Sequence, residues 1–188
     1  FLNLTGDLTD GAYYQFSTGG GDLLNSVFFP QNSAQGETRV THPAFITEAE
    51  AGDTRLSKAP QRTSLAKLDN LESNYDFFVY TSNVAPIPII RNEELILLYA
   101  EVQAQLGNTT NATTAIDRIR NAASLADYSG ATDLNSLINE VLKQRRYSLF
   151  GEGHRWIDMR RYDRLNQLPI DRPGDDVWAK FPRPATEL

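Results

Sequence analysis

Apolar residues recur with the spacing of an amphipathic helix from Arg91 onward. They fall at i, i+3, i+4, i+7 and i+11, which places them on one stripe of a helix that ends at Gly107 and Asn108. A second run of this kind follows a short turn and extends to about Leu125. The first stripe consists of Leu95, Leu98, Tyr99, Val102 and Leu106, and the second of Ala115, Ile116, Ile119 and Ala123. The spacing predicts two helices that form an antiparallel hairpin.

A third helix is predicted from about Asp133, and its apolar face contains an arginine. This face consists of Leu134, Leu137, Ile138, Val141, Leu142, Arg145 and Leu149. A shorter fourth helix is expected over about 155–165, before a proline-rich tail. Helices of this size joined by turns favour a mainly α fold with tetratricopeptide-like helical hairpins, although no clean period of about 34 residues is visible.

The first 90 residues have a different pattern. They are rich in Gly, Ser, Thr, Asn and Pro and show no sustained helical period, which is typical of a long irregular loop-rich segment with short strands or helices. Pro86 and Pro88 should keep "APIPII" extended, because proline fixes its own φ and disfavours the α region for the preceding residue. We therefore divide the chain into 1–90, the candidate ligand side, and 91–188, the helical region with its tail, and expect them to form one structural unit.

Composition narrows the class of protein. The chain has 188 residues, 40% of them hydrophobic, which suffices for one domain with a real core. Its net charge of −6 argues against binding along nucleic-acid backbones, which requires a field of cations. There is no cysteine, and neither histidine has a helical partner for a metal site, so no cofactor is expected. No run of about 18 apolar residues is present to span a bilayer.

Charges of alternating sign mark the stretch "LKQRRYSLFGEGHRWIDMRRYDRL", residues 142–165. Glu152, Arg155, Asp158 and Arg161 lie at i, i+3 spacing, so that in a helix each would face an opposite charge. A glycoside hydrolase would use Glu152 and Asp158 as its paired carboxylates, but arginines beside both favour the charged forms over a proton donor. The favoured interpretation is a partly buried ion network, in which planar guanidinium groups form paired hydrogen bonds with carboxylates.

The segment "QRRYSLFGEGHRWIDMRR" resembles the C-terminal signature of the SusD/RagB family of Bacteroidetes outer-membrane nutrient-binding lipoproteins. Met159 is a conservative replacement for leucine, whereas Gln144 and Ser148 replace two glutamates, so part of the family's ion network must be rewired or missing. The residues that match the signature are Arg145, Leu149, Glu152, Gly153, Arg155, Asp158 and Arg161.

Further segments resemble the family in the same order along the chain. "IRNEELILLYAEVQAQLG" resembles a family helix through Arg91, Glu94, Leu97, Ala100 and Glu101. "AIDRIRNAASL" resembles a second family motif, "DTRL" at Asp53 an Asp-x-Arg element, and "FPRPATEL" the closing motif. The resemblance extends from about residue 40 and corresponds to the C-terminal half of a typical member. We therefore expect a C-terminal portion without the lipidated N-terminal cysteine.

The resemblance implies a surface-exposed protein of the cell outer membrane that captures a glycan or other nutrient and passes it to a SusC-like TonB-dependent transporter. It implies no enzymatic activity and no cofactor, and it implies membrane association through an N-terminal lipid that this chain lacks. The arginines and acids of the motifs would form a structural ion network. Its predicted members are Arg91, Glu101, Arg145, Glu152, Arg155, Asp158 and Arg161.

No ligand-binding residue is transferable by motif, so candidates come from composition. Aromatic side chains beside the glycine run "TGGGD" and in the tail lie where flexible loops usually recognise ligands. The candidates are Tyr13, Tyr14, Phe16, Phe28 and Trp178, whereas Trp156 is expected in the core. The alternative is a tetratricopeptide-like adaptor that binds a peptide or protein in the groove of its helix pairs.

Overall fold

The computed structural model describes residues 2–33, 38–181, 183–184 and 186, so that part of the closing motif "FPRPATEL" lies outside the described residues. The strands are β1 (Gly11–Tyr14), β2 (Gln61–Leu68), β3 (Leu71–Tyr75) and β4 (Ile87–Arg91). The α-helices are α1 (Ala44–Thr47), α2 (Asn92–Gln105), α3 (Thr109–Ala122), α4 (Leu134–Ser148) and α5 (His154–Arg161). Two 3-10 helices span Thr54–Lys58 and Leu165–Gln167. Helices hold more of the described chain than strands do, and the long ones all lie after residue 91.

The strands form two separate antiparallel pairs in the first half of the chain. β1 pairs with β4, and β2 pairs with β3. The predicted extended conformation of "APIPII" is confirmed, since β4 contains Pro88 and leads directly into α2. The turn between β2 and β3 consists of Asp69 and Asn70, both in the left-handed region that asparagine and aspartate tolerate in hairpin turns.

Helices α2, α3 and α4 form the main core, and the predicted hairpin is α2–α3. The predicted stripe of α3 is buried, and so is that of α4 except for the half-exposed Leu134. Asp133 caps α4 by accepting a hydrogen bond from the Ser136 amide at 3.1 Å. The buried apolar residues of this core include Ile96, Leu97, Ala100, Ala104, Ile116, Ile119, Leu137, Ile138, Val141 and Leu142.

The predicted stripe of α2 is wrong, because the helix buries a different face. Leu98, Val102 and Leu106 are 47%, 45% and 67% exposed, whereas Ile96 and Leu97 are fully buried. The run "LILL" is apolar around the whole circumference of the helix, so periodicity alone cannot choose between faces. The small side chains of Ala100 and Ala104 let α3 and α4 approach closely, and this determines which face is buried.

The fourth helix is shorter than predicted. α5 begins at His154 and ends at Arg161, and a turn separates it from the 3-10 helix Leu165–Gln167. Gly151 and Gly153 precede α5 with φ of +80° and +84°, a backbone conformation that glycine adopts without steric cost. They redirect the chain between α4 and α5. Within the described residues, none of the helices combines the length and the apolarity needed to span a bilayer.

Candidate functional site

A cavity of about 620 Å³ lies between α1, the end of α4 and the beginning of α5. We call it the α5 cavity. Phe45 and Glu48 line it from α1 and the residue after it, Arg146 from α4, and Trp156 from α5. The segment Gln167–Pro169 completes the wall. Its volume falls within the ~300–1,000 Å³ that is usual for small-molecule sites.

Phe45 and Phe150 form the floor of the α5 cavity and belong to a cluster of tilted aromatic rings. Phe45 packs against Phe150 with 4.1 Å between ring centroids and against Tyr147 at 4.9 Å. Phe150 contacts Phe77 at 5.5 Å. A Cβ on Gly151 would lie 2.6 Å from the Phe77 ring, so only glycine permits this close approach. The floor is therefore held by packing between residues that are distant in sequence.

Two aromatic residues of the tail contact Trp156, which lines the cavity. The Nε1 of Trp156 donates a hydrogen bond to the Trp178 carbonyl at 2.8 Å, and the Trp156 ring packs against Phe181 at 4.9 Å. Trp178 and Phe181 are 54% and 74% exposed. The expectation that Trp156 belongs to the core is wrong, because the side chain is only partly buried and lines the cavity. Its indole N–H is satisfied by the tail instead of by a core partner.

Buried ion pairs hold α5 on the helical core. The Arg145 Nε donates to Asp158 at 2.7 Å, and the Arg161 Nη2 donates to the other carboxylate oxygen of Asp158 at 3.1 Å. Arg161 also donates to Glu101 at 2.9 Å, which links α5 to α2. These hydrogen bonds, those to Glu101 first, raise the pKa of Arg161. Four of the seven predicted network residues thus lie in one cluster.

A second cluster holds the turn before α5. Arg91 pairs with Glu152 and also donates to Glu93 at 2.8 Å and to the Ser148 carbonyl at 2.9 Å. Ser148, which replaces a family glutamate, accepts a hydrogen bond from Arg55 through its hydroxyl at 3.0 Å. The other replacement, Gln144, has a buried Oε1 without a hydrogen-bond partner among the described residues.

Arg155 does not join either cluster, and its predicted role in the ion network is wrong. Among the described residues no carboxylate pairs with it. The glycine-containing turn takes Glu152 away from the face of α5 and toward Arg91, while Asp158 is already occupied by two other arginines. Arg155 lines the α5 cavity instead, where burial, and then the nearby charge of Arg146, lower its pKa.

A smaller recess of about 270 Å³ adjoins the α5 cavity, and the sequence analysis missed it. We call it the α4 recess. Glu48, Arg146, Arg155 and Gln167 line both spaces, so the two adjoin along one wall. The recess is further lined by Asn139, Leu142, Lys143, Tyr147, Met159 and Arg164. The only signal in the sequence was the pair of cations at i, i+3 on α4, Lys143 and Arg146, a spacing that charged surface helices show commonly.

An ion cluster that no motif or spacing in the sequence predicts includes Lys143 of the recess wall. Arg120 of α3 donates to Glu50 at 2.8 Å and also to Glu140, and the Lys143 Nζ donates to Glu50. The Arg120 hydrogen bond, followed by that of Lys143, lowers the pKa of Glu50 to about 2. Because Glu50 lies outside the helices and its partners lie on α3 and α4, no local spacing could reveal the cluster.

The predicted ligand contacts in the first half of the chain lie elsewhere. Tyr13 and Tyr14 are in β1, and the Tyr13 hydroxyl donates to the Thr9 carbonyl. Tyr14 is 62% exposed, while Phe16 and Phe28 are partly buried. None of these four lines the α5 cavity, the α4 recess or the hairpin cavity described next. Their role in ligand binding stays a prediction. So does that of Trp178, whose carbonyl accepts a hydrogen bond from Trp156 but which does not line the α5 cavity.

A third cavity, of about 550 Å³, lies beside the β2–β3 turn. We call it the hairpin cavity. His42 and Asp171 contact each other at 3.0 Å on its wall, and Arg172 pairs with Asp69. No Phe, Tyr or Trp ring of the described chain lines this cavity. The α5 cavity is therefore the better candidate for a site that needs aromatic surfaces.

No group of three or more His, Cys, Asp or Glu side chains in the described ranges is arranged to hold a metal ion. The α5 cavity instead combines aromatic rings with arginine and glutamine side chains. This arrangement can bind a ligand by stacking and hydrogen bonding.

Comparison with known proteins places the chain in a family. The sequence model described as the SusD family matches residues 64–181, which is more than half of the chain. SusD-like protein P38 from Formosa agariphila is 31% identical over 109 residues, which cover 50% of this chain and 22% of that protein.

Solved structures share the fold. A SusD superfamily protein from Parabacteroides distasonis has a TM-score of 0.59 at 20% identity and covers 79% of this chain and 38% of its own. A SusD-like carbohydrate binding protein from Bacteroides vulgatus has a TM-score of 0.50 at 23% identity and covers 62% of this chain and 26% of its own. The chain thus spans 22–38% of the lengths of these relatives. Its order of motifs, its ion clusters and its match to the family model agree, and the chain belongs to the SusD family.

Proposed function

We propose that this protein binds an oligosaccharide in the α5 cavity and does no chemistry on it. This proposal rests on a cavity of ligand size whose wall includes Trp156. The Trp156 ring packs against the exposed Phe181, and its N–H donates to the carbonyl of the exposed Trp178. Sugars present apolar faces that stack on aromatic rings, with hydroxyl groups around their edges. The similar fold of a SusD-like carbohydrate binding protein supports this class of ligand.

The polar groups on the wall suit recognition of hydroxyl groups. Arg155 offers guanidinium donors without a competing carboxylate in the described chain, and Gln167 offers both a donor and an acceptor. The carboxylates that a glycoside hydrolase would need are already engaged, since Glu152 accepts from Arg91, and Asp158 from Arg145 and Arg161. This arrangement supports capture without bond cleavage.

The further proposal concerns delivery. As a SusD-family member, the protein would act at the surface of the outer membrane, anchored by an N-terminal lipid, and would hand its oligosaccharide to a SusC-like TonB-dependent transporter. The family membership supports this proposal. A pull-down from membranes of the source cells, with this chain within its native full-length product as bait, tests it. Recovery of a TonB-dependent transporter is expected, and its absence under conditions that retain glycan binding would count against delivery.

The test of the binding site is a titration of the protein with a panel of oligosaccharides, followed by tests of single-ring variants with the best ligand. Trp156→Ala and Trp178→Ala should each weaken binding roughly tenfold, because aromatic stacking of this kind contributes about 1–1.5 kcal/mol. Isothermal titration calorimetry gives the dissociation constants. Circular dichroism spectra that match the unaltered protein show that the variants are folded.

Tyr14→Ala is the matched control, since Tyr14 is exposed but lies outside the cavity. Unchanged affinity in Tyr14→Ala together with a loss in both tryptophan variants supports the α5 cavity. The reverse pattern would move the site to the rings of the first half of the chain, as composition suggested. If no saccharide of the panel binds, the proposed function is wrong.

One observation favours the adaptor alternative. Leu98, Val102 and Leu106 form an exposed apolar face on α2, of the kind that packs against another protein element. An adaptor would lose its partner when apolar contacts on this face become polar, so Val102→Asn should abolish partner capture. If Val102→Asn leaves both glycan binding and transporter recovery unchanged, the face has no part in either function.

A further inference from the structure

The α4 recess is unusually cationic for a protein with a net charge of −6. Its wall carries four basic side chains, Lys143, Arg146, Arg155 and Arg164, and one carboxylate, that of Glu48. The basic residues come from α4, from α5 and from the turn after α5. The folded chain thus concentrates positive charge at one place next to the proposed sugar site.

Two of these four cations have no carboxylate partner in the described part of the chain. Lys143 pairs with Glu50 and Arg146 pairs with Glu48. Arg164 donates to the neutral amide oxygen of Asn139 at 2.6 Å, and among the described residues neither Arg164 nor Arg155 forms an ion pair. The Glu48 and Asp158 carboxylates lie near Arg155 without forming an ion pair with it, and burial and the Arg146 charge outweigh their effect on its pKa. An anion that entered the recess would offset the excess of positive charge there.

Further features of the wall suit a charged ligand. Guanidinium groups present planar, forked donors that match the two or more oxygens of a carboxylate or a sulfate. At about 270 Å³ the recess is smaller than a usual ligand site, so it suits one substituent of a ligand whose body lies elsewhere.

The recess and the α5 cavity share one wall, and this links the charge to the sugar site. Arg155 and Gln167 line both, while Trp156 lines the α5 cavity only. We infer that the protein selects acidic oligosaccharides: one sugar ring lies in the α5 cavity, and the carboxylate or sulfate of that or the next ring lies in the α4 recess against Arg155 and Arg164. This inference rests on the proposed function and adds the class of saccharide.

The test compares ligands that differ only in charge. Oligogalacturonate and its methyl-esterified form share their sugar chain, and the esterified form lacks the negative charge. A sulfated carrageenan oligosaccharide and its desulfated form are the second pair, which separates sulfate from carboxylate. Titration calorimetry at low ionic strength should show at least one acidic member binding about tenfold or more tightly than its neutral counterpart.

Single-residue variants then test which arginines bind the acidic group of the ligand. Arg155→Gln and Arg164→Gln should each reduce the affinity for the acidic ligand about tenfold. Arg164 lines the recess but not the α5 cavity, so Arg164→Gln should leave the affinity for the neutral counterpart within about threefold. Both should fold, because neither side chain forms an ion pair in the described structure. Arg172→Gln removes the same charge in the hairpin cavity and is the matched control.

The outcomes separate this inference from the proposed function. Equal binding of acidic and neutral ligands, or an equal loss in Arg172→Gln and Arg155→Gln, overturns selection of acidic saccharides while binding itself stands. Absence of binding to all four ligands and to the wider panel overturns the proposed function and the inference with it. Charge-dependent binding that is lost in both recess variants and retained in the control supports both.

Discussion

At the scale of single residues, Asp158 lies at the centre of an ion cluster that joins three helices. It is 3% exposed, and its two oxygens accept from Arg145 of α4 and Arg161 of α5. Arg161 then continues to Glu101 of α2. A carboxylate in this position stabilises the fold mainly by neutralising a buried arginine that could not otherwise be tolerated.

Replacement of Asp158 by alanine should therefore be strongly destabilising. Asp158→Ala leaves Arg145, 7% exposed in its side chain, without its carboxylate. Removal of one partner of a buried pair costs roughly 3–5 kcal/mol in the free energy of unfolding. Urea denaturation followed by circular dichroism measures this change.

Asp171→Ala serves as the control for this measurement. Asp171 pairs with His42 on the surface, where each side chain is about two-fifths exposed, and exposed pairs contribute ~0–1 kcal/mol. A destabilisation of Asp158→Ala no larger than that of Asp171→Ala would show that the Arg145 charge finds solvent or another partner.

The sequence could identify the charged residues that matter but not all of their pairings. Arg145 and Asp158 are 13 positions apart and were predicted together, because both occur in one motif. Arg155 was assigned to the same network on i, i+3 spacing, and this failed because the turn at Gly151 and Gly153 removes Glu152 from the helix. Pairings across a turn depend on its backbone geometry, which the spacing of charges does not encode.

At the scale of elements, α2 has two apolar faces that differ in what they contact. Leu97 is fully buried against α3 and α4, whereas its neighbour Leu98 is 47% exposed. The two leucines have the same side chain and adjacent positions on one helix. A comparison of the stability lost when each leucine is replaced by alanine therefore separates the effect of burial from that of helix propensity.

Leu97→Ala should lower the free energy of unfolding by about 2–5 kcal/mol, because it removes buried apolar surface and leaves a cavity. Leu98→Ala should change it by less than about 1 kcal/mol. Chemical denaturation of both variants provides the measurement. Comparable losses would mean that the second face of α2 is covered in solution.

Helix positions were predictable, whereas the buried face of α2 was not. α3 and α4 each have one apolar stripe, so their periodicity identified the correct face. α2 has apolar residues on all sides, and the choice of face depends on Ala100 and Ala104, whose small size was not part of the hydrophobic pattern. The aromatic cavity was also inaccessible, since its walls come from α1, α4 and α5.

At the scale of the whole molecule, Glu50 links the first half of the chain to the helical half through ion pairs. It follows α1 in sequence, and its carboxylate accepts from Arg120 of α3 and Lys143 of α4. The Arg120 hydrogen bond holds its pKa at about 2, well below the usual 4.5. The interaction therefore stays intact in mild acid.

This contact predicts a specific acid dependence of stability. Because the folded pKa is lower than the unfolded one, the unfolded chain binds more protons between about pH 4.5 and 2, and stability contributed by Glu50 is lost as the pH falls through this window. Glu50→Gln should be less stable than the unaltered protein above pH 4.5, and the difference should shrink toward pH 2. Urea denaturation at several pH values measures both.

Glu72→Gln is the control for general acid effects, since Glu72 forms an exposed pair with Lys67 on the β2–β3 hairpin. Its difference from the unaltered protein should be small throughout, as expected for an exposed pair. A constant difference for Glu50→Gln down to about pH 2 would contradict the assigned role of Glu50.

The turn at Gly151 and Gly153 also bears on how this protein can change over generations. Both glycines have a left-handed backbone, and Gly151 lies against the Phe77 ring, so exchange at either position disturbs the direction of α5. Trp156, Arg155 and Arg164 carry no such restriction, because they line open space. The shape and charge of the α5 cavity and the α4 recess can therefore change one side chain at a time, while the glycine turn that sets the direction of α5 is retained.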